Sequence, residues 1–281
     1  MAGHGRGTTG ITGGMKMGKT TSKRPEAAAK PAGRGVKGIL PARLAQLNAG
    51  EPAATLTECL AVDFAALMRA AAPQVGDQGL ALMQAQAAAG ISRRMALAAR
   101  ILLDAAGPQA LAGMQTHASD TVRGWACFMV GALPGVSVQE RLALIRPLAD
   151  DPHFGVREWA WIAVRPQLAA ELETSVKRLR PWTKEPSERL RRFASESLRP
   201  RGVWCAHIAA LKADPAIALP LLEPLRADAA VYVQDSVANW LNDASKDQPE
   251  WVRQVCRRWQ AGKPAAATER ICRRALRSIG E

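Results

Sequence analysis

The sequence predicts an all-α fold, a right-handed solenoid of HEAT-like helical repeats with a concave basic face. Three observations predict it. Ala and Leu dominate while β-branched residues are sparse, so propensity favours helix almost throughout. One motif recurs at intervals that suit a pair of helices: a polar turn, an aliphatic residue, Arg or Gln, then an apolar helix. The formal net charge is +13, which calls for an anionic partner, most simply nucleic acid.

Taken in order, residues 1–37 hold Arg6, Lys16, Lys19, Lys23, Arg24, Lys30, Arg34 and Lys37 against Glu26 alone. The stretch is rich in Gly, Thr and Ala and shows no apolar periodicity, so it has too little to bury to order itself. It reads as a disordered basic arm or, equally, as a passive tail. Its many glycines spoil the amphipathic helix of a mitochondrial transit peptide. Residues 38–281 are then expected to form a single domain with an ample core.

The repeats follow. "GISRRMALAARILL" carries Arg94, and "SDTVRGWACFMVG" carries Arg123, 29 residues on. "DPHFGVREWAWIAV" carries Arg157 and "EPSERLRRFASES" carries Arg191, each a further 34 residues along. "DAAVYVQDSVANWL" carries Gln234, 43 later, and "ATERICRRALRSI" places Arg273 39 beyond that. Val233, Val237 and Trp240 fall at i, i+4 and i+7, and Ile271, Ala275 and Ile279 at i, i+4 and i+8, both helical spacings. Pro134-Gly135, Asp151-Pro152, Pro181, Pro200 and Pro215 separate the units. The Arg that opens each repeated helix is individually a structural tie to the next turn. Collectively Arg123, Arg157 and Arg191 leave a basic ridge suited to repeating phosphates.

Several classes are excluded. No apolar run approaches the length of a membrane span, and no secretory segment follows the start. Cys59, Cys127, Cys205, Cys256 and Cys272 are scattered without CxxC spacing, which fits buried thiols in a reducing compartment. His4, His117, His153 and His207 form no metal-binding pair, so metal chemistry has no support from spacing. "GHGRG" has no strand before it and is a poor phosphate loop. Eight Trp stand against one Tyr and four Phe. Trp125, Trp161 and Trp240 read as core. Trp159, Trp204 and Trp259 sit beside charges and are candidates to face a base or sugar.

The most informative stretch is "RRFASESLRPRGVWCAHIAAL", residues 191–211. Arg192 and Glu196 are i, i+4 on one helix face, compatible with either an exposed ion pair or a site. Arg199 and Arg201 flank Pro200, which must end or kink the helix. Trp204 is expected to open the next helix, with His207 one turn on. A second carboxylate is available from "SVANWLNDASKD", where Asn242 and Asp243 mark a helix end beside Lys246. Asp247 reads as the cap of the helix that follows.

"SDTVRGWA", "ADDPHFGVREWAW", "RRFASESLRPRGVWCAHI" and "YVQDSVANWLNDASKD" together resemble the DNA alkylation repair glycosylases of the AlkC/AlkD type, the AlkC branch in particular. The resemblance runs from about Leu40 to Ile279 and is densest over residues 119–247. It implies a solenoid that clasps duplex DNA and hydrolyses the N-glycosidic bond of cationic alkylated bases without flipping the base. N3-methyladenine is the chief substrate implied, with N7-alkylpurines and N3-methylcytosine as further candidates. Carried over by motif, it implies catalytic roles for Glu196, Asp243 and Trp204. Arg192, Arg199, Arg201, Arg157 and Lys246 are the residues expected at DNA. Some members place a further acidic residue near Trp161; Glu158 is the nearest carboxylate here. Some carry a C-terminal β-sandwich domain, which a chain ending at Glu281 is not expected to contain.

The chemistry implied suits these residues. A cationic purine is already a good leaving group and needs no general acid. The transition state needs a carboxylate to stabilise an oxocarbenium-like sugar and to place a water. Strand cleavage, metal and cofactor are not expected. The expectation is a cytoplasmic monomer acting on alkylated duplex DNA. The competing readings are a non-catalytic helical-repeat DNA binder and a protein-interaction scaffold.

Overall fold

The computed structural model describes residues 35–202 and 205–280. The basic arm expected over residues 1–37 lies almost wholly outside them. From Arg34 onward the chain groups as one unit. Sixteen α-helices, joined by short 3-10 turns, make up that unit among the described residues, and no strand is found there.

In chain order the helices are α1 (Pro41–Asn48), α2 (Leu56–Ala61), α3 (Phe64–Ala71), α4 (Gly76–Ala85), α5 (Ile91–Ala106) and α6 (Leu111–Gln115). Next come α7 (Asp120–Ala132), α8 (Val138–Ala149), α9 (Phe154–Ala170), α10 (Leu172–Leu179) and α11 (Glu188–Glu196). The last five are α12 (Ala209–Ala213), α13 (Leu219–Leu222), α14 (Val231–Ala244), α15 (Pro249–Gln260) and α16 (Ala266–Ala275). Helices α5, α7, α9, α11, α14 and α16 pack one on the next as a continuous row. The intervening helices α8, α10 and α15 pack against it as a second layer. This is the all-α HEAT-like solenoid, and the row is the set of repeated helices read from the sequence.

The row stays in register because its helices from α5 to α14 begin the same way. Counting from the cap residue, the fourth position is Arg94 in α5, Arg123 in α7, Arg157 in α9, Arg191 in α11 and Gln234 in α14. From α7 to α14 this side chain donates back to the turn before its own helix. Arg123 reaches His117 O and Ala118 O, and Arg157 reaches Asp151 O and Pro152 O. Arg191 reaches Glu185 O and Pro186 O, and Gln234 reaches Asp228 O and Ala229 O. These carbonyls have no helical partner of their own, so the tie satisfies groups that would otherwise stay unpaired. Arg123 and Arg191 also reach forward as two-pronged pairs, to Asp151 and Asp228 in the next turns.

Two boundaries differ from expectation. In α16 the cap is Ala265, so the fourth position is Glu269 and the repeat Arg273 falls one turn later, exposed on the surface. Helical periodicity alone cannot separate positions i and i+4 on one face. Helix α15 is preceded by Gln248 with no side-chain cap; Asp247 pairs instead with Arg201 and Lys212.

The core is built from these repeats. Trp125 and Trp240 are fully buried and Trp161 is buried, as expected. Trp159 and Trp259 are buried too and belong to the core rather than to a ligand surface. Among the described residues no helix is long and apolar enough to cross a membrane.

Candidate active site

The fifth and ninth positions of each repeated helix lie one and two turns in from the start, on one stripe. Glu158 is fifth in α9. Arg192 and Glu196 are fifth and ninth in α11, and Asp235 and Asn239 hold those places in α14. These residues line one open cavity of about 280 Å³, with Trp161, Arg199, Tyr232 and Ser236 completing its wall.

Glu196 is at its centre. Only 3% of the residue is exposed. Arg199 Nη1 donates to Oε1 at 2.7 Å, Ser236 Oγ donates to Oε2 at 2.6 Å, and Arg192 Nη2 lies 3.7 Å from Oε2. Burial pushes this carboxyl up, but the Arg192 and Arg199 guanidiniums and the Ser236 hydroxyl outweigh it and leave it below the ordinary Glu value. Glu196 is therefore ionised at neutral pH. A carboxylate offers about four lone-pair positions, so two hydrogen bonds leave room for a further donor such as water.

The surroundings fix this geometry. Arg192 is shared with Glu158 at 2.8 Å, and its guanidinium stacks 4.5 Å above the Tyr232 ring. The Trp161 indole donates to the other Glu158 oxygen at 2.8 Å. Arg199 turns from Glu196 to Asp243, meeting Oδ2 at 2.7 Å. Burial is the larger influence on Asp243 and holds its carboxyl above the ordinary Asp value despite Arg199. Lys246 Nζ lies 3.8 Å from Asp243 Oδ1 and is the exposed cation of the group.

The corner after α11 is clamped from below. Buried Arg165 donates to Ser197 O, Arg199 O and Ala206 O. Gly202 has no room for a side chain: a Cβ would lie 2.3 Å from Cys205 Sγ and 3.4 Å from Trp161. The corner therefore rests on the floor of α9, which sets the reach of Arg199 and Arg201.

The structure thus brings Glu196, Asp243, Arg192 and Arg199 into one buried network, so the exposed-ion-pair reading of Arg192 and Glu196 does not hold. Arg201 sits nearby but is paired with both oxygens of Asp247. Arg157 is held by its turn carbonyls and by the Tyr232 hydroxyl at 3.2 Å. Trp204 lies outside the described residues. The next helix starts at Ala209 instead of Trp204, so His207 belongs to the loop.

Sequence reasoning missed Tyr232, Ser236, Asp235, Asn239 and Arg165. The signal for Asp235 and Asn239 was positional. Once the helix starts are known, the fifth positions read Glu158, Arg192, Asp235 and Arg270, alternating in charge. Glu158 pairs with Arg192, and Asp235 pairs with Arg270 at 2.7 Å.

The chain as a whole is similar to several known proteins. No family model matches the chain. An uncharacterized protein of Bacillus subtilis, YhaZ, is 43% identical over 135 residues, 48% of this chain. The match spans 36% of that curated relative's length. The Pseudomonas fluorescens alkylpurine DNA glycosylase AlkC, solved bound to DNA containing an abasic site analog, superposes with a TM-score of 0.62 at 30% identity. That match covers 76% of this chain and 60% of AlkC. AlkD2 from Streptococcus mutans shares the fold with a TM-score of 0.52 at 20% identity, over 73% of this chain and 90% of its own. The chain shares the helical-repeat fold of AlkC and AlkD2 and spans 60% of the length of AlkC.

Proposed function

We propose that this chain is a DNA glycosylase of the AlkC branch that releases cationic alkylated bases from duplex DNA, N3-methyladenine first among them. The observation that carries the reading is Glu196. It is an ionised carboxylate, almost fully buried, with lone-pair capacity left, at the centre of an open cavity on the stacked helices. Hydrolysis of the N-glycosidic bond of an alkylated purine builds positive charge on the sugar as the neutral base departs. A carboxylate held in a site of low polarity stabilises that charge more than water does. The same oxygen orients a water to attack the anomeric carbon.

In this reading Arg192 and Arg199 hold Glu196 ionised and fixed, and so act as positioning groups more than as phosphate grips. Asp243 anchors Arg199 from the far side. Glu158 and Tyr232 brace Arg192, and Glu158 supplies the further carboxylate of the cavity. Lys246 is the exposed cation left to meet a phosphate, and Trp204 keeps its proposed place against the lesion's sugar. The mechanism needs neither base flipping nor a Lys nucleophile, so the strand stays intact.

The test is to incubate the full chain with methylated duplex DNA and to analyse the released bases and the strands. Free methylated adenine with an unbroken abasic strand is the expected result. No release of any methylated base contradicts the proposal. The completeness of the ion-pair network favours one second reading, in which Glu196 and Asp243 are purely structural and the chain binds DNA without chemistry. Tight, salt-dependent binding without release establishes that reading.

A further inference from the structure

Away from the cavity, three side chains that are far apart in sequence converge. Cys59 lies in α2, Asp120 is the first residue of α7, and His153 is the residue before α9. Cys59 Sγ is 3.6 Å from Asp120 Oδ2, and His153 Nδ1 is 3.8 Å from the same oxygen. All three donor atoms lie within 4.8 Å of one another. Zinc bonds of about 2.0–2.3 Å at tetrahedral angles place ligand atoms about 3.3–3.8 Å apart.

The outer atoms are held in the way a metal site requires. One residue, Ala53, does both jobs. Its N–H donates to Asp120 Oδ1 at 2.8 Å, and its carbonyl accepts from His153 Nε2 at 2.6 Å. A carbonyl can only accept, so Nε2 carries a proton; Gly155 N–H donates to Nδ1, which therefore keeps its lone pair. Metal-binding histidines are oriented by such a bond from the distal ring nitrogen. Oδ2 and Nδ1 are thereby turned toward Cys59.

Charge points the same way. Asp120 is 2% exposed, and among the described residues no Lys or Arg lies within ion-pair distance of it. His153 is neutral in this tautomer. A divalent cation with the Asp120 carboxylate and a Cys59 thiolate makes the group neutral overall, which is what a buried site favours.

We propose that Cys59 Sγ, Asp120 Oδ2 and His153 Nδ1 form a zinc-binding clasp that ties α2 to the starts of α7 and α9. The S, N, O donor set suits Zn²⁺. Binding displaces the thiol proton to solvent. It also replaces the bond that Gly155 N–H now makes to Nδ1 at 3.1 Å. Three protein ligands leave the fourth position of the tetrahedron to a water. The clasp is structural and independent of the glycosylase reading. Its ligands stand at positions 59, 120 and 153, a spacing that matches no linear motif.

The test uses the full chain, stripped with a chelator and titrated with Co²⁺ as a spectroscopic probe, then with Zn²⁺. The expected result is one equivalent of Co²⁺ with a thiolate-to-cobalt charge-transfer band, abolished by Zn²⁺. Zinc should raise the melting temperature of the wild type and leave Cys59→Ser unmoved. The band should vanish in Cys59→Ser and in His153→Gln, with helical circular dichroism retained. If Cys59→Ser does not fold, the wild-type band and His153→Gln decide. Absence of the band in the wild type, or a band that survives either folded variant, overturns the proposal and leaves a hydrogen-bonded clasp.

Discussion

The front and back halves of the helix row use the same scaffold for different ends. In α5 and α7 the fifth and ninth positions are Met95, Ala99, Gly124 and Phe128, apolar residues packed into or against the core. In α11, α14 and α16 the same positions are Arg192, Glu196, Asp235, Asn239, Arg270 and Arg274. Helix α9 is the joint, with Glu158 fifth and Ile162 ninth. From α5 to α14 the fourth position is Arg or Gln in both halves, and only α16, with Glu269, departs from it. The repeat therefore carries two registers: from α7 to α14 one residue fixes the helix to its turn, and its neighbours along the stripe decide whether that helix offers a core or a site.

The comparison can be broken at either register. The largest expected effect is on stability at the fourth position. Arg191→Met leaves the nearly buried Asp228 carboxylate without its counter-ion and should cost about 3–5 kcal/mol, read by denaturant unfolding. Arg94→Met removes bonds to Val62 O and Leu60 O and a stack over the Phe64 ring, but no ion pair, and should cost about 1–3 kcal/mol. Equal losses would show that the forward ion pair adds nothing to the tie. For both variants, release per folded molecule should stay near wild type.

A pH profile sharpens the other register. The folded Glu196 carboxyl lies below its ordinary value of 4.5, so the native state binds fewer protons than the unfolded chain near that pH. Its contribution to stability is present above 4.5 and is lost as pH falls through the lower folded value. The rate of release should have no Glu196-dependent inflection between about pH 5 and 8, unlike that of a base tuned to operating pH. An inflection near neutrality that disappears in Glu196→Gln would contradict the ion-pair geometry. The smallest effect is expected at the surface: Lys246→Ala should lower the salt slope of duplex binding by about 0.9, the equivalent of one phosphate. An unchanged slope removes Lys246 from the interface.

Much of the fold was legible because it is written as repetition. Arg94 to Gln234 mark five helix starts correctly, since a fixed offset from a turn is a linear signal. The sixth slipped by a turn at Arg273 because α16 puts Glu269 where the others put Arg or Gln. Glu196, Asp243, Arg192 and Arg199 were legible as a group through motif resemblance, yet their burial was not, since i, i+4 spacing looks alike on a wet face and inside a cavity. Tyr232 was invisible for a different reason. It meets Arg157 across an intervening helix, 75 residues away in sequence, and only packing creates that contact. Arg165 reads as one more basic residue until its carbonyl partners in the corner are seen.

The most direct measurement is single-turnover release of methylated adenine from alkylated duplex by wild type, Glu196→Gln and Arg94→Met, with folding of each checked by circular dichroism. If scaffold and chemistry occupy separate registers, Glu196→Gln should bind duplex and lose about 10²–10³-fold in rate while Arg94→Met keeps it. Release by folded Glu196→Gln at the wild-type rate would contradict the central role given to that carboxylate.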